Sequence, residues 1–193
     1  ALKETVERNP DEVVIGYSSG SRAHEADFRI VEKPLLDILE KYPHTRLKII
    51  GHLDLPASFE PFTERIEERP LASYGDYLRL LRTVDLNLVP LVQDGFNHCK
   101  SAIRYLDSAT VGVPTIAAKV GDFVNVMDDG ETGLLAASED DWINHLSLLI
   151  EDGKARQGMG ARAMEKVMSE SAVAAEAARL DPKLSRALME GVL

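Results

Sequence analysis

The chain has 193 residues, 45% of them hydrophobic, which is enough to fill the core of one well-buried domain. Its 32 acidic against 22 basic side chains leave a formal charge of −10, which argues against a nonspecific nucleic-acid surface and confines any phosphate site to a few local cations. The single cysteine, Cys99, excludes an intramolecular disulfide and suits a reducing, cytoplasmic setting, and no apolar run approaches the ~18 residues that span a bilayer.

In chain order, residues 13–17 read as an apolar strand ending in a Gly/Ser loop at 16–21. A helix follows, with Phe28, Val31, Leu35, Ile38 and Leu39 at three- and four-residue steps. Pro34 falls inside that helix and is expected to kink it or mark a restart, because it removes a backbone donor. Residues 46–51 form the next strand, 52–64 with Pro56 and Pro61 a loop over the sheet, and 66–71 a short strand. A helix over 74–84 and a strand over 85–91 come next, then a helix over 97–111 stopped by Gly112 and a strand over 115–118. A short helix over 123–128 leads through the Asp129-Gly130 turn to a strand at 133–136. Ser138 with Asp141 forms a capping box for a helix running to Glu151. Beyond Gly153 the chain is rich in Ala, Glu and Arg and is expected to be helical until Pro182 breaks it. Strands alternating with helices imply a parallel sheet covered on both faces. This divides the chain into a domain at 1–152 and a helical extension at 153–193. The opening at Ala1, without Met, is what a domain cut from a longer protein would show.

Chemistry concentrates in two places. The loop at 16–21 sits at the carboxyl end of a strand, where an α/β sheet places ligands; Gly16 and Gly20 let backbone approach a phosphate, and Ser18, Ser19 and Ser21 can donate hydrogen bonds. An ordinary strand-helix turn is the plainer alternative, and Arg22 and His24 just after it read equally well as solvated residues. Lys100 and Ser101 open the helix at 97–111, where the dipole already favours an anion, so a lysine there suggests a bound diphosphate as well as a solvated surface residue. Arg104 and Asp107 stand at i and i+3, sharing a face on which they can address a phosphate and a ribose diol or simply pair with each other. Asp-x-Asp, His-Glu-x-x-His and paired Cys are all missing, so no metal site is implied. His98 and Cys99 are adjacent and point apart on a helix, which does not make a nucleophile-base pair.

The stretch Arg104-Tyr105-Leu106-Asp107-Ser108-Ala109-Thr110-Val111-Gly112-Val113-Pro114 resembles the basic-x-x-Glu, small-residue helix, Gly-x-Pro signature of the carboxy-terminal domain of retaining family 4 glycosyltransferases of two-domain GT-B architecture. Residues 14–21, 90–101 and 129–135 agree in order with the same family. Two departures are visible: Asp107 stands where the family usually has Glu, and Cys99 occupies the position eight before it, where a second Glu is common. The resemblance implies an α/β, Rossmann-like three-layer domain with a parallel sheet, helices on both faces and a helical C-terminal tail. It further implies that Lys100 and Arg104 neutralise a departing nucleoside diphosphate and that Asp107 accepts from the ribose. Gly16, Ser18, Ser19, Gly20, Ser21, Asp94, Phe96, Asn97 and Ser101 would surround the donor, with 69–74 facing the base. The implied activity is glycosyl transfer from a nucleoside-diphosphate sugar, with retention and without metal, in polysaccharide biosynthesis. The nucleotide-sugar donor is itself the substrate and no separate cofactor is expected. An amino-terminal domain would supply the acceptor site, nucleic acid is not a partner, and peripheral membrane association of the full-length protein is compatible with the resemblance. Two other readings stay open: a catalytically silent nucleotide-sugar-binding or scaffolding domain, and part of a GT-B sugar-nucleotide epimerase.

Overall fold

The computed structural model describes residues 9, 11–20 and 25–170. It contains strands β1 (Val13–Ser19), β2 (Thr45–Gly51), β3 (Ile66–Arg69), β4 (Leu86–Val89), β5 (Thr115–Ala118) and β6 (Leu134–Ala136). The helices are α1 (Glu25–Lys41), α2 (Tyr74–Leu81), α3 (Ile103–Thr110), α4 (Phe123–Val126), α5 (Glu139–Glu151) and α6 (Gly153–Glu170), and 3₁₀ segments lie at Ala57–Arg65 and Asn97–Cys99. All six strands are parallel, in the order β3-β2-β1-β4-β5-β6. Every residue of β4, β5 and β6 is buried, as expected for strands covered on both faces. The order reverses direction between β1 and β4, so right-handed crossovers send α1 to one face and α2 and α3 to the other. α5 returns to pack on α1, and α6 packs on α3. The result is the three-layer α/β arrangement expected from the alternating pattern.

Several boundaries differ from the sequence reading, for identifiable reasons. α1 runs without restart through Pro34, whose ring is buried with Val31, Leu35, Ile38 and Leu39; packing of that stripe outweighs the lost backbone bond. The loop at 52–64 is largely the 3₁₀ segment Ala57–Arg65, and α2 stops at Leu81, where the Thr83 and Val84 amides turn back to Leu80 and Leu81 carbonyls. The largest change is at α3. It begins at Ile103, and residues 97–99 form a separate 3₁₀ turn followed by an extended Lys100 (φ −76, ψ 135). The Ser138–Asp141 capping box is present as read, with both reciprocal bonds. α5 is held to α1 by Lys33–Glu139 and Tyr42–Glu151 contacts at its two ends. Among the described residues no helix is long and apolar enough to cross a membrane.

The described part of the C-terminal extension, α6, belongs to the packed body: Met159, Ala163 and Val167 join the same core as β1 and α1. Pro182 and the rest of 171–193 lie outside the described residues. Gly160 sets how closely α6 approaches, since a Cβ there would overlap the Gly112 carbonyl oxygen and press on Pro114. Gly158 on the same helix faces only the tip of Arg162. Gly160→Ala is therefore expected to destabilise the chain by about 1–3 kcal/mol through overpacking, whereas Gly158→Ala stabilises it by roughly 0.5–1 kcal/mol. Urea denaturation of both variants checks this; equal effects would show that α6 is not seated on Gly112.

Candidate functional site

Where strand order reverses, the carboxyl ends of β1 and β4 diverge and leave a cleft, the usual ligand position in an open α/β sheet. The end of β1 is held in place by its neighbour. Gly51, at φ 105, closes β2 with backbone so near Ser19 that a side chain would meet the Ser19 carbonyl, and this lets the His52 N–H donate to that oxygen at 3.0 Å.

Two cavities, each of about 320 Å³, open in this cleft. The first is lined by Ser18, Ser19 and Gly20 at the end of β1, by Ile50, Leu71 and Ala72, by Tyr74 and Tyr77 of α2, and by Arg104 and Asp107 of α3. The second is lined by Val89 and Leu91 after β4, by Lys100, Ser101, Ile103 and Arg104, and by Phe123. Arg104 belongs to both and joins them. The loop after β1 and the start of α3 thus meet through one guanidinium. Arg104 also reaches the hydroxyl of Tyr17, a fully buried side chain whose pKa is pushed up to about 12 by burial, with the nearby guanidinium opposing.

Asp107 is 7% exposed, and its carboxylate accepts a 2.7 Å hydrogen bond from the Tyr74 hydroxyl. The side-chain partner of Asp107 is therefore a tyrosine from α2, not the arginine one turn earlier. Burial raises the Asp107 pKa, and the Tyr74 bond only partly opposes that. Tyr74 itself is 62% exposed, so its ring arches over the cavity mouth with the hydroxyl turned inward.

Lys100 and Ser101 do not open α3 as the sequence suggested; they precede it, in the extended stretch after the 3₁₀ turn. The Lys100 ammonium lies 3.7 Å from Asp27 Oδ2 and 5.0 Å from the centre of the Phe96 ring. Asp27 comes from the first turn of α1 and is 4% exposed. Its Oδ1 accepts from the Val92 N–H at 2.8 Å and from Asn97 Nδ2 at 3.1 Å. Sequence reasoning missed Asp27, yet a signal existed: it stands four residues before Val31 and eight before Leu35, a carboxylate on the apolar stripe.

Other candidates fall elsewhere. Gly16 lies within β1, not in a loop, and its missing side chain makes room for Val84, so it is a packing glycine. Ser18 and Ser19 are also strand residues, but they reach the cavity. Asn97 is buried, its amide bound to Asp27 and to the Val92 carbonyl, which makes it a loop tether. Asp94 caps the same turn by accepting from the Asn97 N–H at 2.7 Å. Phe96 is 75% exposed and lies against Lys100. None of Gly16, Asp94, Phe96 and Asn97 lines either cavity. Ser21, Arg22 and His24 lie outside the described residues. In the 69–74 stretch, Leu71, Ala72 and Tyr74 line the first cavity. Among the described residues no group of three His, Cys, Asp or Glu side chains gathers in a way that could hold a metal.

Proteins similar to this chain include several glycosyltransferases. The D-inositol 3-phosphate glycosyltransferase of Corynebacterium kroppenstedtii is 22% identical over 152 residues, 71% of this chain and 33% of the relative. That of Mycobacterium sp. (strain KMS) is 30% identical over 95 residues, 48% of this chain and 20% of the relative. The chain thus spans a third or less of the length of these curated relatives. Among solved structures, Anabaena HepE in complex with UDP-glucose superposes with a TM-score of 0.69 at 14% identity, over 93% of this chain and 49% of HepE. The C-terminal domain of the group 1 glycosyl transferase LpcC from Francisella tularensis gives 0.66 at 19% identity, over 85% of this chain and 88% of that domain. These likenesses establish a common fold, that of one domain of the GT-B glycosyltransferases. A family model described as glycosyl transferase-like matches residues 29–181, and on that match the chain belongs to the glycosyl transferase-like family.

Proposed function

We propose that this chain is the donor-binding, carboxy-terminal domain of a retaining, family 4 glycosyltransferase. It would hold a nucleoside-diphosphate sugar while an amino-terminal domain supplies the acceptor. The observation that carries this reading is the meeting of Ser19, Gly20, Lys100, Arg104 and Asp107 around two cavities joined at Arg104. In this reading the nucleoside occupies the first cavity, with the base towards Leu71 and Ala72 and the ribose at Asp107. The diphosphate then runs past Arg104 towards Ser101 and Lys100.

The chemical task is leaving-group stabilisation. As the bond from the sugar carbon to the diphosphate oxygen breaks, negative charge grows on the diphosphate. Lys100 and Arg104 would counter that charge in place of a metal ion, and the partly apolar cavity walls strengthen their effect. Retention and a role in polysaccharide biosynthesis come with the family resemblance, a cytoplasmic setting comes with the single cysteine, and any membrane association would be peripheral. HepE, caught with UDP-glucose, supports a nucleotide-sugar donor for a domain of this shape.

Four measurements test the proposal. In a thermal-shift panel of UDP, GDP, ADP and their sugars, one nucleotide is expected to raise Tm selectively; ligand at a hundredfold over Kd adds about 2.7 kcal/mol by linkage. Arg104→Ala should weaken that nucleotide at least about tenfold, since it removes a charge-assisted contact to phosphate. A panel with no shift at any nucleotide would defeat the reading.

In the full-length enzyme, Lys100→Ala should lower turnover by about 10²–10³-fold, the usual cost of one lost transition-state donor. Unchanged turnover and donor affinity would remove Lys100 from the site.

Asp107 gives a pH-dependent test. Its folded-state pKa lies above its unfolded value, so its contribution to stability is present below the unfolded pKa and is lost as pH rises through the folded one. At neutral pH the ionised, desolvated carboxylate therefore works against folding. Asp107→Asn keeps an acceptor for Tyr74 without the charge. The variant is expected to unfold at higher urea than the parent at pH 7, with the gap closing towards the ordinary Asp pKa of about 4, while nucleotide affinity falls. A variant no more stable than the parent at neutral pH would contradict this account.

A further inference from the structure

The loop between β4 and α3 carries Lys100 and Ser101 into the second cavity, yet it has little regular structure of its own beyond the turn at Asn97–Cys99. What organises it is distant in sequence. The carboxylate of Asp27, on α1, meets the loop at three separate points: the Val92 N–H, the Asn97 side-chain amide and the Lys100 ammonium. Asn97 completes the link by donating its amide also to the Val92 carbonyl at 2.8 Å, and the Lys100 N–H donates to the Asn97 carbonyl at 3.2 Å.

A buried carboxylate is costly unless its charge is paired and its lone pairs are used. Here each oxygen has its own task. Oδ1 accepts two hydrogen bonds that set the path of the loop, and Oδ2 faces the ammonium at 3.7 Å. That separation is long for a charge-assisted hydrogen bond, which favours about 2.7–2.9 Å. The ammonium is therefore drawn to one side of the cavity while its donors remain available to a ligand. An electrostatic contact to a growing charge is effective only when it is in place beforehand.

We propose that Asp27 is a positioning residue for the diphosphate end of the site. It acts through the 92–100 loop and through Lys100, without touching the donor. The proposal rests on the donor-site reading above. It also makes an unusual prediction of sign. Deleting a negative charge beside an anion site would, by electrostatics alone, tighten anion binding; loss of positioning weakens it.

The test is calorimetric titration of the 193-residue chain with UDP and uridine, with GDP and guanosine, and with ADP and adenosine. For the pair that the parent chain binds, Asp27→Ala is expected to weaken the nucleoside diphosphate at least about tenfold while the nucleoside changes less than about twofold. Asn97→Ala alters the tether with every charge in place and should weaken the diphosphate several-fold with the same selectivity, which keeps the test available where Asp27→Ala fails to fold. In a Lys100→Ala background the Asn97→Ala loss should shrink markedly, because the group being positioned is gone. Diphosphate binding as tight as the parent's, or tighter, in either tether variant would overturn the proposal, as would a parallel loss of nucleoside. A parent chain that binds none of the six ligands would overturn the donor-site reading itself, whereas a parent that binds and tether variants that match it would overturn only the role of Asp27.

Discussion

The cleft exists because β4 enters the sheet beside β1 on the side away from β2. Helices following β1 and β4 are thereby sent to opposite faces, and the carboxyl ends between them are left without a cover. That seam depends on close backbone approach at two glycines. At Gly16 the absent side chain admits Val84, which closes the turn leading into β4, and at Gly51 the end of β2 presses against Ser19. With ordinary residues at those positions, β1 could not be clasped from both sides, and the Ser18–Gly20 backbone would not be held at the mouth of the cavity.

Charge is distributed against the trend of the whole molecule. The chain carries a formal charge of −10, yet Lys100 and Arg104 stand together in the cleft. Two buried acids accompany them, handled in opposite ways. Asp27 is matched by a cation and two amide donors and knits α1 to the 92–100 loop. Asp107 has a tyrosine hydroxyl and remains desolvated, with a raised pKa. An acid tied down on every side is part of the scaffold, while one held at an energetic disadvantage has something to gain from a polar ligand; sites that bind commonly keep such local conflicts.

Tyr74 connects these features. It is the first residue of α2, its ring is largely exposed, and its hydroxyl reaches across to α3. The side chain thus bridges the two helices on the same face of the sheet and roofs the first cavity. No pairing across 33 residues could be read from local spacing, and the shared face of Arg104 and Asp107 suggested a different partner for the acid.

Local pattern sufficed for whatever is decided within a turn or two of chain: the six strands, the apolar stripe of α1, the reciprocal Ser138–Asp141 cap of α5, and the Gly112 stop after α3. Ser18, Ser19, Gly20, Lys100, Ser101, Arg104 and Asp107 line the two cavities at the carboxyl end of the sheet, the end to which strand-loop-helix order directs the loops. Only the tertiary structure decided that Asn97 is a tether, that Gly16 is a packing glycine, that α3 starts at Ile103, and that Asp27 answers Lys100. The physical reason is a partner far along the chain: at Asn97 and Asp27 burial removes water as the alternative hydrogen-bonding partner, so the long-range contact outweighs local preference, and at Gly16 the Val84 side chain takes the space a side chain would need.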